Sequence, residues 1–510
     1  METSKIERVR GTNDWLPGTF EHFSRIRQTL ESNLEVFGYR PVDVPVLEHT
    51  DLYLKKAGED IAPNLYDFFF RNRRLALRPE ITASVTRAFI DNLQGMPLPV
   101  RLYHTGPVFR YEKPQSGRYR QFTQTDVELI GASGDMADAE LIYAASKGLT
   151  QVGLDNHRIV IGHIGILHEF LDGLALNERL VSFLIANMER LRKRGKQYVT
   201  ERLRELYQLL PAEASGEVAD RAQPATSPMG LLQKLSEEEA RTVVLELLDS
   251  MNIELIGRRS PDEIVDRLLS KMKRQEQWPQ IDKALDFMHD LGQLTGQPSA
   301  VLREASRLLD AYGISRAPLD RLEAIAAILS EYKLSQELIR FDLGLSRGIR
   351  YYTGTIFEVY HETDGESRQI CGGGRYDDLV VMLGGPEGVS AAGFSYGLER
   401  VYFALKSEGK ITDAQRTVDV LVIPVSVTDR AYALELAERM RAGGLHTELN
   451  VRERSVRSSF QYADKSQIRF VVVIGSEERQ TNQVVVKDMR TRIEHKVDTD
   501  GAVDYLKKVK

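Results

Sequence analysis

Strand-like alternation occurs in two places far apart in this chain, and neither place has enough of it to close a sheet. RLYHTGPVFRYE and YRQFTQTDVELIG lie within residues 101–131, whereas IRFDLGLSRG, YYTGTIFEVYHE and QICGGGRYDD begin only at residue 339. From about 158 to 330 the apolar residues instead recur with helical period. One sheet shared by both strand sets, with the helical segment inserted between them, satisfies this pattern.

Residues 1–157 read as the first part of this core and 331–405 as the second, with 158–330 as a mainly helical insertion. FEHFSRIRQTLESNLEVFGY has helical period, YRPVDVPVLEH reads as a strand, and RRLALRPEITASVTRAFIDN runs from strand to helix with Thr82 or Ser84 as its expected cap. Ala137 to Leu149 reads as a further helix. After a charged connector, residues 418–510 alternate strand and helix, which predicts a small α/β domain with a mostly parallel sheet. A length of 510 residues suits two or three such domains.

A net charge of -6 argues against a generally basic nucleic-acid coat, although a local basic groove is compatible with it. No apolar run is long enough to span a membrane, so a cytoplasmic location is expected. The single cysteine, Cys371, rules out an internal disulfide, and the scattered histidines make a zinc site unexpected. His163 and His168 read as packing or surface residues, and Cys371 as a small wall residue. Neither a P-loop nor a Rossmann glycine fingerprint is present.

The strands around residue 120 carry unusual chemistry. Arg110 and Glu112 fall on one face of the first strand under period-two alternation, and Arg120, Phe122, Gln124, Asp126 and Glu128 on one face of the second. Burying such a face is costly unless a polar ligand satisfies it, and carboxylates with arginines suit a zwitterion or a phosphate ester. The competing reading is an exposed ladder of cross-strand ion pairs. Arg78-Pro79-Glu80, Arg347 before Tyr351-Tyr352, and Arg400 in GFSYGLER supply further groups at segment ends, where forked guanidinium donors could hold phosphates. GGGRY, residues 372–376, has the backbone freedom for close approach to a ligand, or for a bulge.

PVFRYEKPQSGRYRQF resembles motif 2 of the class II aminoacyl-tRNA synthetases and AAGFSYGLERVYFAL resembles motif 3. SRGIRYYTGTIFEVY and CGGGRYDDLVVMLGG resemble segments particular to the histidyl-tRNA synthetase family, and the C-terminal segment resembles its anticodon-binding domain. The resemblance implies an α+β class II catalytic domain built on a six-stranded antiparallel sheet, a helical insertion and a C-terminal α/β anticodon-binding-like domain. It further implies a homodimer that binds L-histidine, ATP with Mg2+ and tRNA(His), forming histidyl-adenylate before transfer. QFTQTDVELIGASGDMADAEL and IGHIGILHEF look more like a second relative, the regulatory subunit of ATP phosphoribosyltransferase, whose partner would be the catalytic subunit of that enzyme.

Carried onto this sequence, the resemblance makes Arg110 a contact for the α-phosphate and the histidine carboxylate, Arg400 for the γ-phosphate, and Phe122 a stacking surface for adenine. Glu112 and Arg118 join the ATP site, with Arg118 facing the triphosphate or the acceptor stem. Glu80, Gln124 and Glu128 receive the amino group, with Thr82 beside Glu80; Tyr351, Tyr352 and Tyr376 surround the imidazole; and Arg347 stabilises charge at the reacting phosphate. Three positions depart from the family pattern: FTQTDVE carries Thr123 and Asp126, and Arg350 stands where the family has an acid. A meeting of Asp126 with Arg350 would conserve local charge in the substrate site. Residues 190–204 offer either a basic helix face for tRNA phosphates or a solvated face, and Arg452, Arg454, Arg457 and Lys465 are the candidate anticodon contacts.

Overall fold

The computed structural model describes residues 6–57, 64–111, 119–207, 242, 278–346, 351–363, 366–411 and 418–510. The chain divides into two compact units, Met1–Asp14 with Phe23–Lys410, and Trp15–His22 with Ile411–Lys510.

In the first unit the strands are β1 (Arg40–Pro41), β2 (Leu47–His49), β3 (Tyr66–Phe70), β4 (Arg73–Leu77), β5 (Val100–Phe109), β6 (Gln121–Ile130), β7 (His157–His163), β8 (Thr295–Gly296), β9 (Ile339–Asp342), β10 (Thr355–Thr363), β11 (Glu366–Arg375) and β12 (Ala391–Gly397). Nine of them form one sheet in the order β1-β5-β6-β12-β11-β10-β7-β9-β8, and β2-β4-β3 form a separate small one. The six central strands, β5 through β7 in that order, are all antiparallel, while β1 joins β5 and β9 joins β7 in parallel at the flanks. The two distant strand sets therefore share one sheet: β6 pairs with β12, with Glu128 opposite Gly393. Residue 158, the expected start of the insertion, falls inside β7.

The helix Asp135–Gln151 covers the sheet on the face carrying Tyr396, whose hydroxyl donates to the Ala145 carbonyl at 2.9 Å. Thr82 and Ser84 do not cap the following helix, contrary to expectation. They lie buried inside it, its N-cap Ile81 offers no side-chain acceptor, and the Glu80 carboxylate accepts from Ala83 N–H at 3.2 Å instead. A carboxylate there also complements the helix dipole.

The run 190–204 is not one continuous basic helix face. Gly195, with φ 82°, breaks the helix Met188–Tyr207, and Arg192 donates to Asp342 at 2.6 Å while Lys196 meets Asp282 and Asp286 at 2.9 and 2.6 Å. Leu180, Leu184, Leu191 and Leu203 are buried in this helical region. Residues 208–241 and 243–277, where the sequence suggests a surface loop and more helix, lie outside the described residues.

The second unit holds β13 (Val420–Pro424), β14 (Thr447–Leu449), β15 (Phe470–Ile474), β16 (Gln483–Asp488) and β17 (Glu494–Asp498), ordered β14-β13-β15-β16-β17. Its sheet is mixed, which corrects the expectation of a mostly parallel one: β13 is parallel to β14 and β15, but β16 is antiparallel to both neighbours. Residues 475–482 between β15 and β16 are too few for a parallel crossover, which needs a dozen or more, and Asn482 with φ 55° turns the chain back. Val420, Val422, Phe470 and Val472 pack on one face against Leu436, Met440 and Leu506, and Leu421, Ile423 and Val471 pack on the other against Ala463 and Ile468.

Candidate active site

Cross-strand partners in an antiparallel pair project to one face, so the register fixes what surrounds the charged strand. Gln124, Asp126 and Glu128 on β6 lie opposite Gly397, Ser395 and Gly393 on β12, and Ser395 and Gly393 lie opposite Gly372 and Gly374 on β11. Three carboxyl or amide side chains thus stand beside a floor nearly free of side chains. A Cβ at Gly393 would lie 2.1 Å from Glu128 Oε2, so only glycine leaves that carboxylate in place.

Strand packing places its own demand on the glycines of GGGRY. They sit inside β11, and none has a positive φ. A Cβ on Gly373 would lie 2.1 Å from the Gly393 carbonyl and one on Gly374 would lie 2.6 Å from the Thr355 carbonyl. Close packing of strands, more than freedom of the backbone, demands them.

Glu128 is 1% exposed and accepts a hydrogen bond from the hydroxyl of Tyr376, which is also 1% exposed. The Tyr351 ring stands edge-on to Tyr376 at 5.6 Å and tilts against Tyr352 at 4.6 Å. Asp126 is buried and accepts from Ser395 Oγ at 3.2 Å. Gln124 Oε1 is a buried acceptor without a hydrogen-bond partner among the described residues, a condition that an ammonium or imidazole N–H donor would relieve.

At the other end of β6 stand Arg110 and Phe122, while Arg400 follows β12 beside a cavity that neither of them lines. Arg110 lies one residue beyond β5 and not in the strand as expected; its Nε donates to the Pro79 carbonyl at 2.7 Å, and its guanidinium carbon stands 5.3 Å from the Phe122 ring. That bond seats Arg110 next to Glu80, and Thr82 follows on the buried start of the helix. Arg400 follows β12 and donates from Nη1 to the Gln369 carbonyl at 2.8 Å. A cavity of about 1290 Å³ opens beside it, lined by Arg400, Gln369, Glu358, Tyr360, Arg158 and Arg192 among others, but not by Glu128 or Tyr376. Glu358 lies opposite Gly372, so the cavity occupies the same sheet face as Asp126.

Sequence reasoning missed Glu399. Its two carboxylate oxygens accept from Thr123 N–H at 2.9 and 3.0 Å, between Phe122 and Gln124, so the motif 3 helix is docked on β6. Burial pushes this carboxyl up to about 7 against the pull of its backbone donors. Its place beside Arg400 at a helix start was the available signal.

Arg78 is the opposite case. It is buried and its guanidinium donates to the carbonyls of Pro107 and Val44, both at 2.8 Å, so it braces the strand ends and is not a phosphate ligand. His163 is buried among neighbours that leave both ring nitrogens without a hydrogen bond among the described residues, and burial followed by the Arg321 and Arg375 charges brings it down to about 4, keeping it neutral. Cys371 is buried within β11. Arg347, Arg350, Glu112 and Arg118 lie outside the described residues, and with them the Asp126–Arg350 pairing. In the second unit Arg452, Arg457 and Lys465 are exposed, whereas Arg454 lies over the Tyr462 ring at 4.1 Å. No group of three or more His, Cys, Asp or Glu side chains among the described residues is disposed to hold a metal, and no helix among them is long and apolar enough to cross a membrane.

Known proteins resemble this chain along most of its length. The family described as Histidyl-tRNA synthetase matches residues 11–260 and 262–401, and the one described as Anticodon binding domain matches 419–509. The Histidine--tRNA ligase of Archaeoglobus fulgidus is 30% identical, covering 96% of each chain, and that of Pyrococcus furiosus is 29% identical, covering 98% of this chain and 99% of its own. Two solved structures share the fold. Histidyl-tRNA synthetase from Nostoc sp. PCC 7120 has a TM-score of 0.65 at 20% identity over 100% of both chains, and an ATP phosphoribosyltransferase regulatory subunit/histidyl-tRNA synthetase from Bacillus halodurans has 0.62 at 22% identity over 93% of this chain and 100% of that one. With an antiparallel class II sheet, a glycine-floored site that joins motif 2 to motif 3 and a family match over most of its length, the chain belongs to the histidyl-tRNA synthetase family.

Proposed function

We propose that this chain is a histidine–tRNA ligase. An oxygen of the histidine carboxylate attacks the α-phosphorus of ATP, the bond to the bridging oxygen breaks and pyrophosphate leaves; the 3′-terminal hydroxyl of tRNA(His) then attacks the activated carbonyl and AMP leaves. The observation that carries the reading is the Glu128–Tyr376 contact on the same sheet face as the unpartnered Gln124 acceptor, a set suited to an amino group and an imidazole. Glu80 joins them on the amino group, while Arg110, Phe122 and Arg400 hold the nucleotide by charge and stacking.

Magnesium is expected with the triphosphate. It needs only one or two protein carboxylates when phosphates complete its shell. The homodimer is supported by β3, an edge strand of the small sheet on which Phe68, Phe69 and Phe70 are 44%, 75% and 57% exposed. In this reading 1–157 and 331–405 form the catalytic core, 158–330 the insertion and 418–510 the anticodon reader, working in the cytoplasm.

Histidine-dependent exchange of pyrophosphate into ATP and charging of tRNA(His) test the assignment. Arg347→Ala should slow adenylation about 10- to 1000-fold, as for loss of a charge-stabilising donor, with a smaller effect on histidine affinity. A protein that binds histidine, fails both assays and associates with a phosphoribosyltransferase catalytic chain would be a regulatory subunit instead.

A further inference from the structure

The candidate histidine pocket is supported from behind by one buried ion pair. Arg375, the last residue of β11, is buried at the sheet face covered by the helix Asp135–Gln151. Its Nε and Nη2 both donate to Asp138 Oδ1, at 2.9 and 2.5 Å, and its Nη1 donates to the Ala132 carbonyl at 3.1 Å and to Asp377 Oδ1 at 3.0 Å. The Arg375 and Asp138 side chains are 1% and 3% exposed. Burial works against the Arg375 charge, but the Asp138 and Asp377 carboxylates outweigh it and hold the guanidinium above its ordinary value.

The main chain of Arg375 carries the pocket. Its carbonyl accepts from Thr353 N–H at 2.8 Å, directly after Tyr351-Tyr352, and the next residue is Tyr376, whose N–H donates to the Ala391 carbonyl at 2.7 Å. Asp377 completes the clamp: its N–H donates to Thr353 Oγ1 and its Oδ1 accepts from Ala391 N–H, both at 3.1 Å. The three tyrosines and, through Tyr376, the Glu128 carboxylate thus take their positions from one guanidinium fixed to the helix.

We propose that Asp138 is a positioning residue for amino-acid recognition, acting through Arg375 to set Tyr376 and the Tyr351-Tyr352 pair against Glu128. This role rests on the pocket assignment above and adds to it a residue that touches no substrate. Asp138 selects the fork geometry: a lysine at 375 would keep the charge but could not meet Asp138, Asp377 and the Ala132 carbonyl together. The effect is specific to the amino acid, because the Arg110–Phe122 contact lies at the far end of β6.

The test uses the full-length protein and its Asp138→Asn, Arg375→Lys and Arg439→Ala variants, with folding checked by thermal melts. Histidine binding is measured by calorimetry, and KM for histidine and for ATP by pyrophosphate exchange. Asp138→Asn and Arg375→Lys should weaken histidine binding and raise its KM about 10- to 100-fold, as misplacement of contact groups by about 1 Å does, with KM for ATP changed less than about threefold. Arg439, whose partner Asp500 is exposed in the second unit, should matter little to either substrate.

A folded Asp138→Asn that binds histidine like the original chain, or that raises both KM values equally, overturns the proposal. If that variant does not fold, Arg375→Lys decides by the same criteria, and failure of both to fold assigns the pair a structural role only, which also overturns it. An original chain that binds histidine without exchanging pyrophosphate removes the ligase reading, while the calorimetric comparison still decides this one. An original chain that does not bind histidine removes both.

Discussion

The Tyr376 hydroxyl donates to the Glu128 carboxylate although 248 positions separate the two residues. Both are buried, so the carboxylate depends on that donor in place of water. Tyr376→Phe keeps the ring and removes the donor. Loss of a hydrogen bond to a charged group costs about 1.5–3 kcal/mol, so histidine affinity should fall roughly 10-fold or more. Calorimetry on the folded variant checks this, and a change below about twofold would separate Tyr376 from the amino-acid site.

Gly393→Ala and Gly373→Ala should fail in different ways. At Gly393 the new Cβ meets Glu128 Oε2 at 2.1 Å and the Val127 carbonyl at 2.4 Å, so the Glu128 carboxylate is displaced along with the strand. At Gly373 it meets the Gly393 carbonyl at 2.1 Å and Phe394 Cβ at 2.5 Å, on the face away from Glu128. Both should lose about 1–3 kcal/mol or more of stability by overpacking. Histidine binding by the folded fraction should be lost only with Gly393→Ala. Equal binding by the two folded variants would contradict the assigned faces.

The shared sheet is legible in the sequence because β5, β6 and β10 alternate, β11 and β12 carry glycine-rich strand signals, and two incomplete strand sets have few other ways to bury an apolar face. The face carrying Gln124, Asp126 and Glu128 is legible for the same reason. What sequence cannot supply is the register. Glu399 reads as an ordinary acid at a helix start until β12 is aligned beside β6 and places Thr123 N–H against it. Arg78 reads as a ligand because its bracing carbonyls, Val44 and Pro107, lie in other segments. The mixed sheet of the second unit is not legible because strand and helix alternate there as in a parallel fold, while the short span before β16 permits only reversal.

Glu399 should make stability fall as pH rises. Its carboxyl is pushed up to about 7 in the folded protein, so between its ordinary value near 4.3 and about 7 the native state binds the proton more readily than the unfolded chain. Its contribution is therefore full below the unfolded pKa and is lost as pH climbs through the folded one. Glu399→Gln keeps a carbonyl acceptor for Thr123 N–H and removes the titration. The stability difference in favour of Gln should grow by about 3 kcal/mol between pH about 4 and pH about 8 and then level off. Thermal or denaturant unfolding of both proteins across that range measures it, and a difference that does not vary with pH would mean that Glu399 titrates alike in both states.

Arg110 should tolerate no replacement by lysine. Its Nε is committed to the Pro79 carbonyl at 2.7 Å while the same planar group stands 5.3 Å from the Phe122 ring, leaving its remaining N–H donors to point as a fork from a fixed base. Lysine offers a compact charge on a mobile stem and can neither keep both contacts nor present two parallel donors to a phosphate or carboxylate. If charge alone mattered, Arg110→Lys would keep pyrophosphate exchange within about tenfold while Arg110→Ala lost it. If the anchored fork matters, both should lower kcat by about 100- to 1000-fold, the scale for removing one preorganised donor from a developing oxyanion. Exchange kinetics at saturating ATP and histidine separate these outcomes, and near-normal turnover by the lysine variant would show that the Pro79 anchor and the Phe122 contact hold the loop without orienting the reacting phosphate.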